Sequence, residues 1–224
     1  MKPPTPSLRH KSAFSLIEMI GVLTLIAILA AVVLPKVFSA ITSARVTNTI
    51  LAVNTVNTGI TEFAAKYGTI PQATGNARID DLLIASTFMD ERFTSKIGAQ
   101  TDPTANRGAT WSLTAGVWIP SGGSAQSTAA RIHSNTSNTS NPSTAGGRNF
   151  RLDGRTNLPT DSRVVYALIY NVPAKEAQDM SIRLDGDGRS AANVTSADNE
   201  GKVVYNTPNR NSGLTNVYVY VIHQ

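Results

Sequence analysis

Cysteine is absent from this chain, and that absence removes disulfides, thiol catalysis and cysteine-ligated zinc together. It leaves the compartment open, because exported proteins also do without cysteine. Histidine is scarce. His10, His133 and His223 lie far apart, and neither a Ser/His/Asp arrangement nor an HExxH helix accompanies them. A phosphate-cradling loop is missing too, since Gly122-Gly123 and Gly146-Gly147 sit in low-complexity sequence. Charge is sparse at 16%, and three of the five net positive charges, Lys2, Arg9 and Lys11, come before residue 12. Nucleic-acid binding therefore gains little from bulk charge. Without a catalytic constellation, the sequence does not read as an enzyme.

What is present in quantity is one long apolar run. From Phe14 to Leu34 the only charge is Glu18, and a helix of that length spans about 31 Å, the thickness of a bilayer's hydrocarbon core. A cleaved secretory signal has a shorter apolar region ending at a small-residue site, whereas here the run continues past Ala30-Ala31. The basic cluster before the run places that side in the cytoplasm and the bulk of the chain outside the inner membrane. Glu18 lies near the edge of the run, where a carboxylate costs less than at the centre. By itself it reads equally well as a side chain snorkelling to the interface.

Its neighbours carry more. The string KSAFSLIEM, Lys11 to Met19, resembles the processing site of type IV prepilins and type II secretion pseudopilins. There a basic leader ends in a small residue, usually glycine, followed by Phe or Met and a Thr/Ser-Leu-Ile/Val-Glu pattern. Ala13 departs from the commoner glycine. The resemblance implies that prepilin peptidase cuts between Ala13 and Phe14 and methylates the Phe14 amine. It further implies that Glu18 serves assembly by pairing with that amine, and that Pro35 kinks the helix. The chain would then be a structural subunit, stored in the membrane and assembled with other pilin or pseudopilin subunits on an inner-membrane platform. A signal-anchored extracytoplasmic binding module remains the competing reading.

Proline lacks the N–H of a helical hydrogen bond, so Pro35 inside a continuing pattern predicts a bend more than a stop. Val46, Ile50, Val53, Ile60, Ala64 and Tyr67 follow a 4-3 spacing with Asn57 as the polar member, predicting an amphipathic helix to Tyr67, with Gly68 as cap. The expected fold class is α+β: a leader over 1–13, a membrane-spanning helix over 14–35 and its continuation over 36–67. That continuation packs on a small antiparallel sheet. A connecting loop with a short helix near Ile79–Ile84 occupies 68–110, and the β head 111–224.

Within the head, Trp111–Ile119, Val164–Tyr170, Lys202–Tyr205 and Val217–Ile222 are expected strands, with a short helix over Pro173–Met180. Residues 121–149, rich in Ser, Thr, Asn and Gly, are expected as a mobile solvated loop; its Asn135 and Asn138 meet only the weak N-x-Ser/Thr pattern. Arg148, Arg151, Arg155 and Arg163 around Phe150 form a basic patch diluted by Asp153 and Asp161, read as a solvated face. Asp185, Asp187 and Asp198 offer oxygen ligands for calcium, but the spacing does not fit an EF-hand loop, and Asp-Gly pairs are ordinary turn formers.

Overall fold

The computed structural model describes residues 15–72, 78–99, 110–114, 117–121, 130–136 and 150–224. Helix α1 runs without interruption over Leu16–Tyr67, 52 residues with Pro35 inside it. The chain divides within this helix into two compact units, Met1–Ile41 and Thr42–Gln224.

The second unit is a helix-on-sheet structure. Strands β3 (Arg131–Thr136), β4 (Arg163–Pro173), β5 (Val203–Tyr205) and β6 (Leu214–His223) form an antiparallel sheet in the order β3-β4-β6-β5. Helix α3 (Ala174–Asp185) follows β4 directly, and α2 (Ile79–Ala85) lies between α1 and the strands in sequence. A separate hairpin joins β1 (Thr110–Thr114) to β2 (Val117–Ser121).

β4 is buried continuously from Val164 to Ile169 because both sheet faces are covered. Val165, Ala167 and Ile169 join Val217 and Val219 in a core with α1, while Val164, Tyr166 and Leu168 pack with Phe150, Leu158 and Tyr218 in a second cluster. This explains why β4 reads as an unbroken apolar run instead of an alternating one.

Several expectations need correction. Trp111–Ile119 is not one strand: its middle, Ala115-Gly116, separates the two arms of the β1–β2 hairpin. Part of the expected loop 121–149 is β3, paired along β4 from Arg131↔Leu168 to Thr136↔Arg163. A neighbouring strand with free backbone groups outweighs the weak propensity of this polar segment; the remainder of the loop, except Ser121, Ala130 and β3, lies outside the described residues. Phe150 is fully buried instead of solvated. The short helix extends to Asp185, so that residue closes α3.

The α1 stripe is also phased differently. Its buried positions are Val46, Thr49, Val53, Val56, Ile60 and Phe63, with Gly59 beside them. Ile50 and Ala64 lie at the margin, and Tyr67 is exposed. Thr49 is buried although polar: its hydroxyl donates to the Arg45 carbonyl at 3.0 Å and accepts the Lys96 N–H at 3.0 Å. A buried polar group with both partners supplied costs little.

Candidate functional site: the start of the long helix

Ala13 and Phe14 lie outside the described residues. Immediately after them the chain forms a reciprocal cap. The Ser15 backbone N–H donates to Glu18 Oε2 at 2.9 Å, and the Glu18 N–H donates to Ser15 Oγ at 3.3 Å. This is a capping box: serine before the first turn and glutamate three residues on each satisfy a helix-start donor that has no intrahelical acceptor. A carboxylate here also faces the positive end of the helix dipole. The Ser-x-x-Glu signal stands in the sequence and gives Glu18 a capping role besides snorkelling and charge pairing.

Beyond the cap, α1 is apolar on all sides. Leu16 is 78% exposed and Leu29 65% exposed, and Val22, Ile26 and Val33 are likewise open. A helix apolar all round is made to be surrounded by lipid or by other helices. It is the single helix among the described residues that is long and apolar enough to cross a membrane. The one hydroxyl between Leu16 and Leu34, on Thr24, donates to the Ile20 carbonyl at 2.8 Å, so no hydroxyl donor in that stretch needs water. Pro35 sits inside the helix, and its missing N–H leaves the Ala31 carbonyl without the usual partner.

Residues 8–34 match the family model of the prokaryotic N-terminal methylation motif. This motif is the signature of type IV pilins and pseudopilins. It runs from Leu8 through the Ser15–Glu18 cap and the apolar first part of α1, and ends one residue before Pro35. No curated protein and no solved structure matches the chain. The methylation motif with a single apolar N-terminal helix supports a membrane-anchored, pilin-like precursor. Chains of the motif's family are structural subunits.

The three aspartates considered for calcium do not make an oxygen cage. Asp185, at the end of α3, accepts the N–H groups of Lys202 at 2.7 Å and Val203 at 2.9 Å. Gly201, at φ +82°, lies so close beneath it that any side chain would collide with the Asp185 carboxylate. Asp198 is buried, accepting from Ser181 Oγ at 2.6 Å and from the Glu200 N–H at 3.2 Å. Burial raises its carboxyl to about 6, against these hydrogen bonds. Asp187 is exposed. Among the described residues no three acidic or histidine side chains gather to hold a metal. The aspartates tie the 186–202 loop to α3 and β5, whereas calcium takes six to eight oxygens.

Of the basic patch, Arg151 donates to Asn157 Oδ1 at 3.0 Å and Arg163 to Thr69 Oγ1, while Arg155 is exposed. Arg148 lies outside the described residues.

Proposed function

We propose that this chain is a type IV pilin-like structural subunit, a pilin or type II secretion pseudopilin. The observation that carries the reading is the methylation motif running directly into a helix whose apolar half has no cover among the described residues. Prepilin peptidase hydrolyses the Ala13–Phe14 peptide bond on the cytoplasmic face, and the freed Phe14 amine is methylated. The head lies outside the inner membrane. On the assembly platform the helix leaves lipid and enters a bundle of equivalent helices, exchanging lipid contacts for van der Waals packing and charge pairing.

Glu18 has two roles to separate in this scheme. As a cap it needs only an acceptor, which glutamine also supplies. As partner of the Phe14 ammonium it needs its charge, because each group alone in a low-dielectric filament core would be costly.

The deciding experiment is mass spectrometry of the chain after expression with prepilin peptidase and the assembly machinery. A methylated Phe14 N-terminus is expected; an intact Met1, or cleavage near Ala31, would overturn the reading in favour of a signal anchor. Comparing Glu18→Ala with Glu18→Gln then separates the two roles. Loss of filaments in both assigns Glu18 to charge pairing, and rescue by glutamine assigns it to the cap.

A further inference from the structure

Strand β5 forms one edge of the four-stranded sheet, yet all three of its residues are buried. What closes that edge is the 186–201 segment together with Asp185, the last residue of α3. The Lys202 and Val203 N–H groups donate to the two oxygens of Asp185 at 2.7 and 2.9 Å. Tyr205 exchanges both backbone bonds with Asp198, at 3.0 and 2.9 Å. Left uncovered, the same groups would be a template for pairing with another strand.

Polar contacts hold this cover in place. Between Gly186 and Gly201 no apolar side chain is buried; Ala191 reaches the core's margin, and Val194 is 40% exposed. The remaining ties are hydrogen bonds: Gln178 Nε2 donates to the Ala191 carbonyl at 2.9 Å, Arg189 to the Leu152 carbonyl at 3.1 Å and the Gly201 N–H to the Arg151 carbonyl at 2.8 Å. Segments with few buried apolar contacts open at a lower free energy than the core. Closure also has costs. The Tyr205 hydroxyl and Asn199 Oδ1 are buried without a hydrogen-bond partner among the described residues, and burial raises the carboxyls of Asp185 and Asp198. On opening, water would supply the missing bonds. Glycines of positive φ stand at both ends, Gly186 at +83° and Gly201 at +82°, and a few such residues suffice as hinges.

We propose that 186–201 is a strap: closed, it occupies the outer edge of β5, and it opens as a unit about its terminal glycines while β4 and β6 stay paired. Asp185 is its latch. The fit is tight, because a Cβ on Gly201 would stand 2.3 Å from Asp185 Cγ. Glycine is therefore needed at 201 both for its positive φ and for room. Opening bares the N–H groups of Lys202, Val203 and Tyr205 and turns a sealed strand into a free edge. The inference concerns the head alone and does not depend on filament assembly.

Hydrogen exchange of the full-length chain in detergent micelles, corrected for intrinsic rates, tests this directly. The amides of Lys202, Val203 and Tyr205 should exchange together, about a hundredfold faster than those of the β4–β6 ladder. Asp185→Asn leaves one acceptor oxygen where two donors need one each, so it should speed these three amides about tenfold and leave the ladder unchanged. Tyr205→Phe removes the unpartnered hydroxyl, so it should slow them about fivefold. Four results would each overturn the strap. They are exchange of these amides only at the ladder's rate, Lys202 and Val203 opening at a different rate from Tyr205, an Asp185→Asn effect shared equally by the ladder, and faster exchange in Tyr205→Phe.

Discussion

The two halves of α1 obey different rules within one continuous helix. From Leu16 to Ile41 nearly every large side chain is apolar and exposed, and none is needed by a core of its own unit. From Thr42 to Tyr67 the apolar residues narrow to one stripe, and those positions are sealed against β4 and β6. The second half is explained by its own chain. The first finds no cover among the described residues, and a helix apolar all round calls for lipid or other helices around it.

The sharpest way to break that contrast is truncation in each half. Phe63 is fully buried, in ring contact with Phe88 at 5.7 Å between centroids. Phe63→Ala should cost about 3–5 kcal/mol in urea unfolding of the detergent-solubilised full-length chain. Leu25, at 63% exposure, should cost less than about 0.5 kcal/mol as Leu25→Ala in the same measurement. Equal losses would mean that the first half shares the head's core.

Acidity should likewise act on one half. No ionisable group lies between Met19 and Leu34, whereas the head buries several carboxylates. Asp198, raised by burial from 3.8 to about 6, holds its proton more tightly folded than unfolded. Its stabilisation is therefore full below the ordinary carboxylate value and is lost as pH rises through about 6. Asp185 and Glu176, also raised by burial, slope the same way. The head should lose about 1–2 kcal/mol from Asp198 between pH 4 and 7, allowing for partial solvent screening. Asp198→Asn should flatten that part of the profile; an unchanged slope would show that Asp198 does not titrate there.

How much of this was legible beforehand follows from what each segment asks of its neighbours. Helix α1, strands β4 and β6, and the α+β class could be read because apolar pattern and length fix them locally. β3 could not, because its polar sequence becomes a strand only when β4 offers an edge. The α1 stripe runs through Thr49, Val56 and Phe63, each one residue before the expected Ile50, Asn57 and Ala64, and a threonine fits it because its hydroxyl bonds back into the helix. At the candidate site the motif residues were legible as a string, but the Ser15–Glu18 cap was hidden behind the charge-pairing role. The buried pair of Arg78 with Asp80, which also accepts the Phe93 N–H at 3.1 Å, had no sequence signal. Only tertiary folding brings the Phe93 backbone to it.

Glycine offers a subtler comparison. Gly21, in the first half, has nothing within 4 Å of where a Cβ would stand, so Gly21→Ala should stabilise the helix by about 1 kcal/mol in detergent. Gly59, in the second half, would place a Cβ 3.0 Å from Met89 Cγ and 3.2 Å from the Phe88 carbonyl oxygen. There the crowding should cancel the helical gain, leaving Gly59→Ala about 1 kcal/mol destabilising by urea unfolding. Matching effects at the two sites would erase the distinction between an open half and a packed one.

The smallest effect belongs to the tie between α3 and the start of the packed half. Arg45 lies 3.4 Å from Glu176 Oε1 and donates to the Lys96 carbonyl at 2.8 Å, while Arg183 reaches Thr47 at 2.7 Å. Glu176 is buried but Arg45 is 45% exposed, so water screens the attraction. Glu176 Oε2 has no hydrogen-bond partner among the described residues, and burial raises this carboxyl despite the opposing pull of Arg45. Half of the carboxylate therefore pays desolvation with no return. Glu176→Gln keeps the shape, removes the buried charge and leaves Arg45 its bond to Lys96. It should change the unfolding free energy at pH 7 by less than about 1 kcal/mol. A larger loss would mean that this pair, and not the apolar stripe alone, decides where the packed half of α1 begins.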